Sequence, residues 1–368
     1  MFIYQRNKWP QFYWNNDVLL PVLGEARNLQ GRLIGKMEAI GFSLRDEANL
    51  EILTLDVLKS SEIEGTLLNP NQVRSSIARK LGMDISGLVP SDRNVDGVVE
   101  MTLDAIRNYK LPLTKERLFS WHAALFPSGR SGMLKITVAD WRRDETGPMQ
   151  VVSGPLGKER VHFKAPEAVR IDSEMDTFMD WFNRKGFTDP VLKAGIAHLW
   201  FVTIHPFDDG NGRIARIIAD MQLARVDGIK QRFYSVSTQI RKERKSYYDI
   251  LEKTQKANLD ITEWLYWFLS CLKRSLLATD KTLAGVMQKA RFWEINAKIQ
   301  MNERQRLIIN QLLEGFKGKL NSSKYAKIAK CSPDTALRDI QDLISKNILK
   351  KESAGGRSTS YILIPGAF

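Results

Sequence analysis

The sequence predicts a mainly α-helical fold in several parts, with one small β-hairpin inside and a mixed helix and strand module at the end. Three observations carry this prediction. Apolar residues recur at three- and four-residue intervals over most of the chain; short β-branched or apolar runs flank a Gly- and Pro-rich turn only near residues 149–163; and residues 301–368 read as three short helices followed by two strands.

Tyr4 to Trp14 is aromatic and irregular, and Val18 to Phe42 follows with Leu19, Val22, Leu23, Ala26, Leu29, Leu33 and Met37 on one helical stripe. Leu53, Val57 and Leu58 continue a helix that ends at Ser60-Ser61-Glu62-Ile63-Glu64-Gly65, with Gly65 as its C-cap. Two carboxylates in that last turn oppose the helix dipole, which prefers cations there. The choice fits an external cationic partner about as well as it fits an exposed acidic turn. Met149 to Ser153 and Arg160 to Phe163 read as the arms of the hairpin.

Val191 to Ile204 is a helix by the spacing of Leu192, Ile196, Leu199, Trp200 and Ile204, and Pro206 stops it. Ile214, Ile217, Ile218, Met221 and Ala224 restart a stripe, so Gly210, Asn211 and Gly212 stand at the start of a second helix. Free N–H groups and the positive end of the helix dipole collect there, and the glycines let a phosphate approach the backbone. Arg213 and Arg216 share a face and offer planar forks for further phosphates. Asp209 supplies a hard oxygen suited to Mg²⁺, and His205 stands at the mouth as a general base. Singly, each part has a structural reading: a packed histidine, a solvated arginine pair, a common turn. Their conjunction within residues 205–216 points to chemistry on a phosphate. A dinucleotide fingerprint through Gly210, Gly212 and Ala215 requires a preceding strand, whereas a helix precedes it, and no Walker P-loop occurs.

The segment HPFDDGNGRIAR, His205 to Arg216, resembles the signature HxFx[DE]GNGRxxR of the Fic family at every specified position. Fic proteins are mostly helical enzymes that transfer AMP from ATP to a hydroxyl side chain of a target protein. The resemblance implies that His205 takes the proton from a target Ser, Thr or Tyr and that Asp209 holds Mg²⁺. It further implies that Gly210, Asn211 and Gly212 line the α- and β-phosphate cradle, and that Arg213 and Arg216 hold the β- and γ-phosphates. Ser60, Glu64 and Gly65 match the family's inhibitory pattern [ST]xxxE[GN], whose glutamate pairs with the second signature arginine; Glu64 would then pair with Arg216 and deny the γ-phosphate its seat. Removal of AMP by the same site is a further activity that the resemblance implies. Fic proteins carry a hairpin flap beside the active site, which makes Val151, Val152 and Ser153 candidates for target and nucleotide contact; a plain surface hairpin is the other reading. Arg244, Tyr247, Tyr248 and Gln255 lie in a helical stretch, Lys242 to Ala257, similar to the family's base pocket, with Tyr247 and Gln255 as candidate contacts; packing in the core is the alternative.

The chain has 368 residues, a hydrophobic fraction of 43%, a net charge of +13 and two cysteines, Cys271 and Cys331. That is enough for two or three domains, and too few cysteines for a disulfide framework. His122 and His198 lie among apolar residues as packing histidines, and no Cys or His cluster suggests zinc. No signal peptide or membrane-length apolar run occurs, so a cytoplasmic protein is expected. The expected divisions are an N-terminal helical domain over 1–95, a catalytic core over 96–280, a helical connector over 281–300 and a final module over 301–368. This last module holds twelve Lys and Arg against six Asp and Glu and resembles the winged helix-turn-helix family. Ser332-Pro333 opens its third helix, Ala336, Ile340, Leu343 and Ile344 form the buried stripe, and Thr335, Arg338 and Asp339 are expected to face solvent. DNA contact through Arg338, Lys346 and Arg357 and protein docking are both open to such a module, and the family resemblance makes a homodimer an expected partner state. The competing functional classes are therefore a protein adenylyltransferase and a DNA-binding transcriptional regulator whose core senses nucleotide.

Overall fold

The computed structural model describes the whole chain except residues 84–86, 146, 155–159, 187, 314–315, 317, 353–358 and 365–368. It divides into two compact units, Met1–Thr279 and Asp280–Phe368.

The first unit starts with α1 (Asn16–Glu38) and α2 (Phe42–Ile63). Asn15 caps α1 by accepting from the Asp17 N–H, and Leu19, Val22, Leu23, Ala26, Leu33 and Met37 form its buried stripe. The expected run to Phe42 is interrupted: Gly41 is extended and caps α2, and Phe42 is the exposed first residue of that second helix. Then come α3 (Pro70–Leu81), α4 (Arg93–Arg107) and α5 (Lys115–Leu125). Gly97 lets α4 press against α5, since a Cβ there would stand 1.8 Å from the Ala124 carbonyl oxygen.

Two short antiparallel pairs follow: β1 (Arg130–Ser131) with β2 (Leu134–Lys135), and β3 (Gln150–Ser153) with β4 (Arg160–Lys164). The second pair is the expected hairpin; its register places Val151 opposite Phe163 and Ser153 opposite Arg160, with a bulge between Val151 and Val152. After α6 (Ile171–Asn183) come the two central helices, α7 (Pro190–Ile204) and α8 (Asn211–Asp227), packed side by side. Nearly every residue of α7 is buried, as expected for a helix apolar on all sides. The segment joining this rigid pair is His205–Gly210, so the candidate loop is anchored at both ends by the best-packed part of the unit. α9 (Val236–Lys242), α10 (Arg244–Gln255) and α11 (Thr262–Ile295) follow, and the division between units falls within α11.

The second unit contains α12 (Glu303–Leu313), α13 (Ser322–Ile328), α14 (Pro333–Ser345) and an antiparallel pair, β5 (Leu349–Lys351) with β6 (Tyr361–Leu363). Ile308, Tyr325, Ala336, Ile340, Leu343, Leu349 and Tyr361 belong to its core. Ser332 caps α14 and Pro333 is its first residue, as the sequence suggests. Asp339 corrects the expectation of a solvent-facing side chain. It is buried, because Arg304 Nε donates to it at 2.8 Å, Asn302 Nδ2 at 2.9 Å and the Tyr325 hydroxyl at 3.1 Å. Among the described residues no helix is long and apolar enough to cross a membrane.

Candidate active site

At the end of α7 the chain turns through His205, whose φ of 54° and ψ of 57° are left-handed and unusual for a residue with a Cβ. Its backbone N–H still bonds the Phe201 carbonyl at 3.0 Å, and Nδ1 pairs with the Val202 carbonyl oxygen at 3.2 Å. Because a carbonyl only accepts, this contact assigns the proton to Nδ1 and leaves Nε2 with a lone pair. Burial lowers the imidazole pKa to about 4 despite that bond, so the ring is neutral near pH 7.

The next residues are fastened from three sides. Arg142 donates from Nε to the His205 carbonyl at 2.8 Å, and its backbone N–H bonds the Pro206 carbonyl. Phe207 stacks on His122 at 4.2 Å between centroids, and His122 Nε2 meets the Asp209 carbonyl at 3.2 Å. Asn211 closes the loop on itself: its side chain accepts from the Phe207 N–H at 3.0 Å and donates to the Phe207 carbonyl at 2.8 Å. Its amide is therefore occupied in shaping the cradle. Gly210 takes a φ of +83°, and a Cβ there would come within 3.0 Å of the Phe126 ring.

Gly212 lies in the first turn of α8, where free N–H groups point outward. The atom facing it is a carboxylate oxygen: a Cβ on Gly212 would stand 2.3 Å from Glu64 Oε1. Glu64 reaches this place because α2 ends at Ile63 and Gly65, with a φ of +83°, reverses the chain. Glu64 Oε1 accepts from Arg216 Nη1 at 2.7 Å, while Ser60 takes the rest of that guanidinium through its hydroxyl and carbonyl, both at 3.0 Å. Burial opposes the charge on Arg216, but Glu64 outweighs it and the pKa is raised. Arg213 differs. It is buried over the Phe126 ring at 4.9 Å, its closest carboxylate is Asp209 at 3.8 Å, and its Nε has no hydrogen-bond partner among the described residues. Burial lowers its pKa.

These groups open on a cavity of about 690 Å³ lined by His205, Gly212, Glu64, the hairpin residues Val151, Val152 and Ser153, and Tyr247, Tyr248 and Gln255 of α10. Tyr247 and Gln255 are almost wholly buried: the Tyr247 hydroxyl meets His198 Nε2 at 2.8 Å, and Gln255 Nε2 donates to Thr203 Oγ1 at 3.2 Å. They form the floor. Tyr248 is nearer the action, its hydroxyl donating to Glu64 Oε2 at 3.3 Å, with burial first and the Glu64 charge next pushing its pKa to about 12. Arg244 holds the same turn through the Ile63 carbonyl at 2.8 Å. Asp209 presents a half-exposed carboxylate, accepting from the Gly210 N–H at 2.5 Å and from the Ser131 hydroxyl. One exposed carboxylate beside an anion cradle is the pattern in which Mg²⁺ is held jointly with substrate phosphates. Among the described residues no three His, Cys, Asp or Glu side chains gather into a ready ion site.

The structure thus brings together His205, Asp209 to Arg213, Arg216, Ser60, Glu64, the hairpin and α10, from positions about 190 residues apart in the chain. Ser131, Arg142, His162 and Glu252 carry no local sequence signal as site residues, whereas Arg244 and Tyr248 already fall in the expected base-pocket stretch and, four apart, on one helical face. In the second unit, Arg338 is exposed, while the Lys346 ammonium is engaged by Asp342 at 2.5 Å and the Gln300 carbonyl at 2.7 Å. Arg357 lies outside the described residues. α14 itself carries Asp334, Asp339 and Asp342 against one arginine, a poor balance for a helix that must meet phosphates.

Residues 112–223 match the family model described as "Fic/DOC family". These likenesses support a Fic family protein. Residues 2–83 match a second model, a domain of unknown function, DUF4172. Among curated proteins, the "Protein adenylyltransferase Fic" of Aedes aegypti is 33% identical over 104 residues, which is 28% of this chain and 19% of that protein. Its namesake from Nematostella vectensis is 31% identical over 114 residues, 30% of this chain and 24% of that one. The matched region therefore spans about a quarter or less of these relatives. Among solved structures, a Fic family protein from Desulfovibrio desulfuricans superposes with a TM-score of 0.55 at 19% identity, covering 96% of this chain and 98% of that one. A Fic domain-containing signaling protein from Bacteroides thetaiotaomicron gives 0.52 at 22% identity, covering 71% and 97%. The mainly helical Fic-type fold expected from the sequence is thereby shown. The Fic-type loop is the joint between α7 and α8, inside the matched residues, whereas Glu64 comes from the segment matched by the second model.

Proposed function

We propose that the cavity binds ATP and that the protein transfers its AMP to a Ser, Thr or Tyr hydroxyl of a target protein, under restraint by Glu64. The observation that carries this reading is the meeting, on one wall of the cavity, of a neutral His205 with the open N-terminus of α8. A triphosphate laid against Gly210, Asn211 and Gly212 meets backbone N–H groups and the positive end of the helix dipole. Arg213 is at hand for its further phosphates. The incoming hydroxyl gives its proton to His205 Nε2 as its oxygen attacks the α-phosphorus, and pyrophosphate leaves. Mg²⁺, held by Asp209 together with the phosphates, would neutralise part of the charge on them.

Arg216 is the natural partner for the outermost phosphate, and Glu64 holds it. An ATP molecule bound while Glu64 is in place meets a carboxylate at the cradle, which repels the phosphate tail. Such a site is restrained, and a ligand or partner that withdraws the α2 turn frees it. We read residues 1–95 as the part that delivers Glu64, 96–280 as the catalytic core, 281–300 as a helical connector, and 301–368, with its three helices and strand pair, as a winged helix serving docking or dimer formation. Incubating the chain with ATP labelled at the α-phosphate tests the activity. Label on protein that depends on His205 supports it, and no label on any protein, with Glu64 replaced by glycine, discards it.

A further inference from the structure

Ser153, His162 and Glu252 form a hydrogen-bonded relay on the wall of the same cavity, opposite in character to the arginine-rich cradle. Ser153 Oγ lies 2.5 Å from His162 Nε2, and His162 Nδ1 lies 2.6 Å from Glu252 Oε2. Strand pairing puts the first two on facing strands of the β3 and β4 hairpin, and α10 contributes the third. All three line the cavity with His205 and Gly212. The geometry repeats the order by which hydroxyl nucleophiles are activated: hydroxyl to imidazole, imidazole to carboxylate.

The roles of the atoms follow from their chemistry. A carboxylate only accepts, so Nδ1 carries the proton donated to Glu252, and Nε2 is left to accept from the Ser153 hydroxyl. The other oxygen of Glu252 accepts from Lys256 Nζ at 2.6 Å and Arg160 Nη2 at 3.0 Å, which fixes the carboxylate in place. Those bonds, that from Lys256 foremost, hold its pKa at about 2, so it stays anionic and keeps the imidazole in this tautomer. Ser153 is solvent-exposed.

We propose that Ser153 is an acceptor hydroxyl for the nucleotide bound in this cavity, with His162 as its general base and Glu252 as the residue that positions His162. The inference rests on the cavity being an ATP site. In the step, Ser153 Oγ forms a bond to the α-phosphorus, the bond from that phosphorus to the bridging oxygen breaks, pyrophosphate departs and the proton passes to His162 Nε2. The product is a phosphodiester on the hairpin, which would cover the cavity wall that a target segment must meet.

Two measurements on the full chain test this. The first needs no nucleotide: a fluorophosphonate probe should label Ser153, and His162→Gln should slow that labelling at least about 100-fold, with Glu252→Gln slowing it to a lesser degree. No label on Ser153, or equal labelling in His162→Gln, overturns the activation. The second uses the Glu64→Gly chain in ATP and Mg²⁺, with peptide mapping by mass spectrometry. AMP on the peptide holding Ser153, reduced tenfold or more in His162→Gln, is the expected result. AMP found on other residues and never on Ser153 overturns this inference while leaving AMP transfer intact. AMP on no protein at all overturns both.

Discussion

Replacing Glu64 by glycine should speed AMP transfer while making the protein less stable, two effects of opposite sign from one contact. The contact is the 2.7 Å pair between Glu64 Oε1 and Arg216 Nη1, with side-chain exposures of 29% and 1%, supported by the Tyr248 hydroxyl at 3.3 Å. A charge-assisted hydrogen bond contributes about 1.5–3 kcal/mol, and the weaker Tyr248 contact adds to it, giving about 2–4 kcal/mol favouring the restrained state. At about 1.4 kcal/mol per factor of ten, transfer should rise about 30- to 700-fold. The partial exposure of Glu64 places the expectation in the lower half of that range. Stability should fall by only about 1–3 kcal/mol, below the cost of a fully stranded buried charge, because Ser60 still accepts two bonds from Arg216. Initial rates with α-labelled ATP, ATP affinity by calorimetry and a denaturant midpoint measure the three quantities. Transfer within about twofold of the parent chain, with ATP still bound, would refute the reasoning.

Four further outcomes follow from the same geometry. His205→Ala should lower transfer by about 100-fold or more with ATP affinity changed less than about threefold, checked by the same rate and calorimetric assays, since the imidazole acts on the hydroxyl and not on the phosphates. Asp209→Ala should raise the Mg²⁺ concentration needed for half-maximal transfer, read from a metal titration. His122 and His198, whose pKa values burial lowers to about 4 and about 3, are neutral in the folded protein and bind protons first when unfolded. Their contribution is therefore complete above the unfolded value of about 6.5 and lost as pH falls towards 4, on the order of 3 kcal/mol each, so denaturant midpoints should fall over that window and fall less steeply in His198→Gln. Gly97→Ala should destabilise by about 2–3 kcal/mol or more in thermal unfolding, because its methyl would meet a backbone carbonyl at 1.8 Å, which cannot rotate aside.

The helical parts of this chain were readable because α1 and α14 bury stripes with a 3.6-residue period, α7 is a long apolar run, and Pro206 and Ser332-Pro333 mark where α7 ends and α14 begins. The loop was readable because His205 to Arg216 holds its chemistry within twelve consecutive residues. Glu64 was legible through its own short pattern together with that of the loop. What escaped were residues whose meaning lies in distant partners. Ser131 matters through Asp209, Arg142 through the His205 carbonyl, and His162 through Glu252, separations of 78, 63 and 90 residues that no local period encodes. Asp339 was misplaced for the same reason. On α14 alone it belongs to the polar face, and only Arg304, Asn302 and Tyr325, brought in by folding, make its burial tolerable.

Arg213 is left with an Nε–H that no protein atom answers among the described residues. A buried donor left unmet costs about 1–3 kcal/mol. An anion that satisfied this group would return that cost as affinity, on top of its attraction to the dipole of α8. In the proposed ATP reading, the group that weakens the protein's own packing would also lend a phosphate tail its grip.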